Sequence, residues 1–241
     1  MSIKILGVKI DNLSKEKVLE KIKEFLISSK QHYITTVNPE FLVKAQNNEE
    51  FFHILNKADL SLTDGFGVKL ASFLFPPIIK NRISGADLTK DILRLAEKES
   101  YKVCILNHEK QFSSNEEIRF VLEKKYPNLK FNVFSEVEPR QTRQTDAQSL
   151  LVALGAPRQE KFIYHNLAKI SSVKVAMGVG GSFDFLTGKI KRAPKIMRIL
   201  GIEWLWRLIQ EPKRIKRILT AVVVFSWLVL KDRIKDNFVN H

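Results

Sequence analysis

The chain has one cysteine, no long apolar run, and no glycine at all between Ala86 and Leu154. A single cysteine, Cys104, excludes an intramolecular disulfide and fits a reducing compartment. Within Val103-Cys-Ile-Leu106 it reads as a small buried hydrophobe, not a nucleophile. The longest apolar stretch, Ile218 to Leu230, is interrupted by Thr220 and Ser226 and falls short of the roughly 20 residues a membrane-spanning helix needs. The chain is therefore not expected to cross a membrane, and it could lie on one. The opening Met1-Ser-Ile-Lys-Ile reads as a strand, without the apolar core of a signal peptide. No Asp-x-Asp pair is present, and His32, His53, His108, His165 and His241 show no metal-ligand spacing. Neither a metal nor another cofactor is expected.

Acidic residues are scarce: 26 Asp and Glu face 40 Lys and Arg, for a net charge of +14 in 241 residues. Such an excess implies an anionic partner, whether phosphate, nucleic acid or a lipid surface. It is concentrated late in the chain, where residues 189–217 hold ten Lys or Arg against Glu203 and Glu211. An apolar content of 44% is ordinary for a globular domain of this length.

The periodicity predicts strands at 3–10, 33–37, 59–63, 102–106, 131–134, 150–154 and 173–179. It predicts helices at 14–29, 39–57, 67–74, 86–99, 115–125, 158–169, 194–210 and 213–235. Val18, Ile22, Phe25 and Leu26 recur at the spacing of one buried helical face. Strands alternating with helices of this length give an α/β fold with a mostly parallel sheet. After Pro194 the pattern is helical only, which sets the expected boundary between a domain at 1–194 and a C-terminal helical appendage at 195–241.

Seven of the ten glycines sit at 65, 67, 155, 178, 180, 181 and 188, most of them where a strand runs into a loop or helix. In open α/β sheets that edge holds ligands. Leu150-Leu-Val-Ala-Leu154 runs into Gly155-Ala-Pro-Arg-Gln-Glu-Lys-Phe162. Val173-Lys-Val-Ala-Met177 runs into Gly178-Val-Gly-Gly-Ser-Phe-Asp184. Asp64, after Leu60-Ser-Leu-Thr63 and before Gly65 and Gly67, can be a general base or simply an Asp-Gly turn. Thr36 and Asn38 end a strand before Pro39. Asn38 is a good helix cap, and a helix start also attracts anions. Arg82 is either a solvated loop charge or a fork for a diphosphate. Asp87 reads as the cap of the next helix. Arg158, Glu160 and Lys161 read as surface charges, with Gln159 able to face sugar hydroxyls.

Together with Thr36-Val-Asn-Pro-Glu-Phe-Leu42, Asp64-Gly-Phe-Gly67 and Arg192-Ala-Pro194, these segments resemble the WecG/TagA/CpsF family of bacterial glycosyltransferases, in order from about residue 33 to residue 217. The resemblance implies a Rossmann-like α/β domain whose appendage completes the site. It implies inverting, metal-independent transfer of an N-acetylhexosamine or hexose from a UDP-sugar to a polyprenyl-pyrophosphate-linked sugar, in cell-surface polysaccharide or teichoic acid synthesis. It casts Asp64 as the base, and places Thr36, Asn38, Arg82 and Gln159 in the pocket. Gly180 and Gly181 are expected to form a loop that lets the uridine diphosphate approach closely. Arg207, Arg214 and Arg217 are cast as neutralising the leaving diphosphate. An anionic membrane surface on the cytoplasmic side becomes a further expected partner, nucleic acid does not, and homo-oligomers stay open.

One region departs from the family pattern. Its usual glycine-containing loops are replaced by Asn107-His-Glu-Lys-Gln-Phe-Ser-Ser114 and a short polar tract at 136–148, which puts donor contacts there in question. Two other classes stay open on residues alone. One is a membrane-surface or nucleic-acid binding module, including one built on a degenerate glycosyltransferase fold. The other is a dinucleotide-dependent oxidoreductase, which the incomplete Gly-Val-Gly-Gly fingerprint disfavours.

Overall fold

The computed structural model describes residues 2–108, 111–135, 142 and 144–239. Its main sheet has six strands in the order β4-β3-β8-β7-β5-β6, all paired in parallel. They are β3 (His32–Val37), β4 (Leu60–Thr63), β5 (Lys102–Asn107), β6 (Lys130–Ser135), β7 (Ser149–Ala153) and β8 (Val175–Gly178). Parallel strands between helical layers are buried on both faces, so they read as continuous apolar runs. In β5, Val103 and Ile105 join one core cluster, while Cys104 and Leu106 join the other. The first face is covered by α1 (Lys15–Ile27), α5 (Gly85–Lys98), α6 (Asn115–Lys125) and α8 (Ser182–Thr187). The opposite face carries α3 (Glu49–Lys57) and α7 (Arg158–Asn166), with α2 (Pro39–Gln46) and α4 (Phe66–Ala71) beyond them. This is a Rossmann-like α/β fold, as expected.

The first expected strand is instead a hairpin. β1 (Ser2–Ile5) and β2 (Val8–Asp11) pair antiparallel around Leu6 and Gly7, both with positive φ. Two such residues make the tight turn whose twist suits a two-residue hairpin. The hairpin closes one sheet edge, since Asp11 accepts the outward N–H of Ser61 on β4 at 2.9 Å. An edge N–H so occupied cannot pair with another chain.

The helix expected at 39–57 is two helices, because Asn48 caps Phe51 N at 2.9 Å and starts a new one. Residues 182–187, read as loop, form α8. After Pro194 the chain runs through α9 (Lys195–Ile199), α10 (Glu203–Gln210), a 3-10 turn (Pro212–Arg214), α11 (Ile215–Leu219), a π-helical segment (Thr220–Val224) and α12 (Phe225–Val239). The helices expected at 194–210 and 213–235 are thus each broken, the first near Gly201 with its positive φ. Phe225 and Val229 are buried among residues of α2 and α4, which ties this run to the sheet domain. No described helix is long and apolar enough to cross a membrane.

Candidate active site

The C-terminal edge of the sheet collects the loops that follow β3, β4, β7 and β8. Asn38 ends β3 and caps α2, its Oδ1 accepting from Phe41 N at 3.1 Å. Asp64 ends β4, and its own N–H donates to the Val37 carbonyl at 2.9 Å. The two loops touch: a Cβ at Gly65 would lie 2.3 Å from Pro39 Cδ, so only glycine lets them approach. Thr36 is buried beneath them. The start of α5 closes that corner, since a side chain at Gly85 would begin 3.0 Å from Thr36 Oγ1 and 3.5 Å from Asp64 Oδ2. Thr36, Asn38 and Asp64 therefore share one corner.

Asp64 retains partial solvent access yet is densely surrounded. Burial pushes its carboxyl above the usual range, and Glu203 pushes the same way. Arg207, Arg82 and the Gly85 N–H oppose them. A carboxylate that burial makes more basic, with cations beside it, has the character of a general base next to an anion site.

Gln159 holds the glycine loops. Its Oε1 accepts from Gly155 N at 3.1 Å and from Gly180 N at 2.9 Å, joining the loop after β7 to the loop after β8. Its Nε2 donates to Glu160 Oε1 at 2.6 Å. The expectation of a surface Glu160 is corrected here: the residue is buried, and burial pushes its carboxyl up to about 7. Glu160 Oε2 has no hydrogen-bond partner among the described residues. A Cβ at Gly178 would strike Gln159 Nε2 at 2.5 Å and Glu160 Oε1 at 2.7 Å, so glycine is required there as well. The sequence did carry a signal for Glu160, because residues 160, 163 and 167 share a helical face whose other members, Ile163 and Leu167, are buried. Gln159 thus spends its amide oxygen on the backbone and its amide nitrogen on Glu160.

The cations surround Asp64 in a partly paired network. Arg82 Nη2 lies 3.7 Å from Glu203 Oε2, and Arg192 Nε lies 3.6 Å from Glu203 Oε1. Arg192 also forks onto Asp87 at 2.6 and 3.0 Å and reaches Ser84 Oγ at 2.9 Å. Asp87 sits inside α5, which begins two residues earlier after Ser84, so it anchors Arg192 instead of capping. Arg207 lies half-buried over the Phe185 ring at 4.7 Å. Burial, then the neighbouring Arg214, hold its guanidinium below the usual value. Two arginines crowded this way favour an anion between them. Arg214 Nε donates to Glu211 Oε2 at 2.6 Å. Arg217 stands apart, forked onto Glu40.

Two clefts of about 340 Å³ flank α9. One, lined by Phe66, Lys69, Arg82, Lys195, Arg198 and Ile199, opens beside the Asp64 loop and mixes apolar walls with cations. In the other, between α1 and α5, Lys15, Arg94 and Arg192 are paired with Asp91 or Asp87. Asp184 accepts from Ser113 N and Oγ at 3.0 and 2.8 Å, which fixes the loop after β5 against α8. Most of that departing loop is therefore anchored, while residues 109, 110, 136–141 and 143 lie outside the described residues. Among the described residues no three His, Cys, Asp or Glu side chains gather as a metal-holding group. Burial pushes the Cys104 thiol up to about 12, which suits its reading as core.

Residues 3–238 match the model of the glycosyl transferase WecG/TagA/CpsF family. The chain belongs to that family. A relative from Bacillus subtilis (strain 168), named N-acetylglucosaminyldiphosphoundecaprenol N-acetyl-beta-D-mannosaminyltransferase, is 34% identical over 89% of this chain and 88% of its own length. Relatives of the same name from Staphylococcus aureus strains MRSA252 and MW2 are each 31% identical, over 97% of this chain and 94% of theirs. As a WecG/TagA/CpsF member the chain is a glycosyltransferase, and the strand-edge constellation around Asp64 is its candidate active site. Of the residues expected in the pocket, Asp64, Thr36 and Asn38 lie together with Arg82 nearby, while Gln159 ties the glycine loops. Glu203 and Arg192 were not expected there; their partners lie more than a hundred residues away in Arg82 and Asp87.

Proposed function

We propose that this glycosyltransferase moves an N-acetylhexosamine of the N-acetylmannosamine type from a UDP donor to N-acetylglucosamine linked through diphosphate to a polyprenyl lipid, in cell-surface polymer synthesis. The relatives' name supplies the acceptor and the β product. Common UDP-hexosamines are α at the anomeric carbon, so a β product means inversion in one displacement.

In that step Asp64 takes the proton from the acceptor hydroxyl as its oxygen attacks the anomeric carbon. The bond to the β-phosphate oxygen breaks, and UDP leaves with the electron pair. Negative charge grows on the departing diphosphate, where preorganised cations act most strongly. Arg207 and Arg214 would meet it, with Arg82 at the rim, and no metal is needed in this reading. Thr36, Asn38 and the backbone at Gly180 and Gly181 would line the donor, with Gln159 holding those loops in place. Residues 195–241 act as the appendage that brings these arginines over the pocket. Their exposed apolar side chains, among them Ile196, Leu200, Trp227 and Leu230, would rest on an anionic membrane's cytoplasmic face while the cleft beside Phe66 admits the lipid acceptor.

The observation that carries this reading is the Asp64 carboxyl, raised by burial and faced by Arg82 and Arg207. The test offers a panel of UDP-sugars and a short-chain polyprenyl-diphosphate N-acetylglucosamine, in EDTA. Transfer from UDP-N-acetylmannosamine is expected. Transfer only from another donor would overturn the assignment of the sugar, and transfer only with a divalent cation would overturn the metal-free step.

A further inference from the structure

Arg217 is held differently from Arg207 and Arg214. Its Nε lies 3.1 and 3.0 Å from Glu40 Oε1 and Oε2, and its Nη2 lies 2.9 Å from Oε2. Both carboxylate oxygens are thus engaged by one fork, the geometry in which arginine binds carboxylates best. Glu40 stands in the first turn of α2 and is mostly buried. One turn on, Lys44 Nζ reaches Glu40 Oε1 at 2.8 Å and the Ala156 carbonyl at 3.1 Å. Ala156 follows Gly155, whose N–H is held by Gln159 together with that of Gly180. A polar chain therefore runs from the appendage, across α2, to both glycine loops.

Burial alone would raise Glu40, yet Arg217 and then Lys44 outweigh it and hold the carboxyl below the usual range. Moving Arg217 onto a phosphate would leave Glu40 in its partly buried place with one cation, and removing one partner of such a pair is costly. The segment after Arg217 packs on α2 too, with Phe225 and Val229 buried against it.

We propose that Arg217, Glu40 and Lys44 form a latch: they position the closed appendage and the loop at 155–157, and Arg217 does not bind the leaving diphosphate. The proposal rests on the glycosyltransferase reading of the pocket, which it deepens by separating Arg217 from Arg207 and Arg214.

The discriminating experiment is a double-mutant cycle with Glu40→Gln, Arg217→Gln and both together. Each variant is read by kcat/KM for the UDP donor and by hydrogen exchange of residues 215–235. A latch predicts that each single change lowers kcat/KM by about 5- to 30-fold, and that the double variant is no worse than either single, because both break the same link. Exchange in the C-terminal helices should quicken equally in all three. Lys44→Met should raise the donor KM while exchange there stays closer to wild type. If Glu40→Gln matches or exceeds wild-type activity while Arg217→Gln loses it, Glu40 merely competes for a phosphate-binding arginine, and the latch is wrong. Unchanged exchange in both singles would overturn it as well. Exchange is readable without turnover, so a failed transfer assay would sink the reading of the pocket, while the latch would still stand or fall on exchange.

Discussion

Two carboxyls raised by burial, on one sheet edge with β3 and β8 between their strands, have opposite surroundings. Asp64, after β4, is raised by burial but keeps a path to solvent and is faced by Arg82 and Arg207. Glu160, in the first turn of α7, is raised by burial to about 7, with a glutamine amide beside it and the Gly178 backbone pressed against both side chains. Perturbed acidity alone would nominate both as catalytic. Room decides between them. Asp64 is partly open to solvent, the side from which a sugar hydroxyl would have to approach, whereas Glu160 is enclosed by Gln159 and the Gly178 backbone.

That contrast breaks most sharply on paired isosteric changes. Asp64→Asn should lower kcat/KM by about 10³-fold, the scale of a lost general base, with the thermal midpoint unchanged or higher. Glu160→Gln should leave activity near wild type and act on stability. Its folded acidity near 7 lies above the ordinary 4.5, so its contribution to stability is fully present below pH 4.5 and is lost as pH rises through about 7. The glutamine variant should show no such loss and be more stable than wild type at pH 8 by roughly 3 kcal/mol. Urea melts at pH 4.5 and pH 8 check this, and parallel pH dependence in both proteins would return Glu160 to the surface.

A second contrast lies between the sheet domain and the helices after Pro194. The former buries most of its apolar residues, with Ile27, Phe73 and Phe120 among the exceptions, whereas exposed ones such as Ile196, Leu200, Ile209, Trp227 and Leu230 crowd the latter. Replacing Ile196, Trp227 and Leu230 together by serine should weaken sedimentation with anionic vesicles by roughly 10-fold or more. Transfer to a short-chain soluble acceptor should hold. Equal vesicle binding by both proteins would place the membrane face elsewhere.

The smallest effect concerns the neighbours of Asp64. In the proposed role of base Asp64 must be ionised to take a proton, so kcat/KM should fall on the acid side at a pH above the ordinary carboxylate range. Glu203→Gln removes a negative neighbour and should move that limb to lower pH, while Arg207→Ala should move it up. Limbs that stay put in both variants would mean another group titrates.

Much of this architecture is local and so was legible. Apolar runs ending in glycine gave the parallel strands and the ligand edge, and Asp64 stood out beside Gly65. The hairpin at Leu6-Gly7 was not, because leucine is a poor predictor of positive φ. The break between α2 and α3 hid in Asn47-Asn48, polar residues that a helix surface also tolerates. Glu160 was obscured by Arg158 and Lys161, although its helical phase matched buried Ile163 and Leu167. The ion pairs joining Glu203 to Arg82, and Arg217 to Glu40, are set by tertiary closure across the chain, and no window of sequence contains both partners.

Whether Asp64 is the base of an inverting transfer is decided by following the anomeric proton of the product by NMR. UDP-N-acetylmannosamine serves as donor, with wild type beside Asp64→Asn at matched folding. A β-linked product from wild type is expected, with about 10³-fold slower formation by the variant. Comparable rates from the two proteins, or an α-linked product, would contradict that role for Asp64.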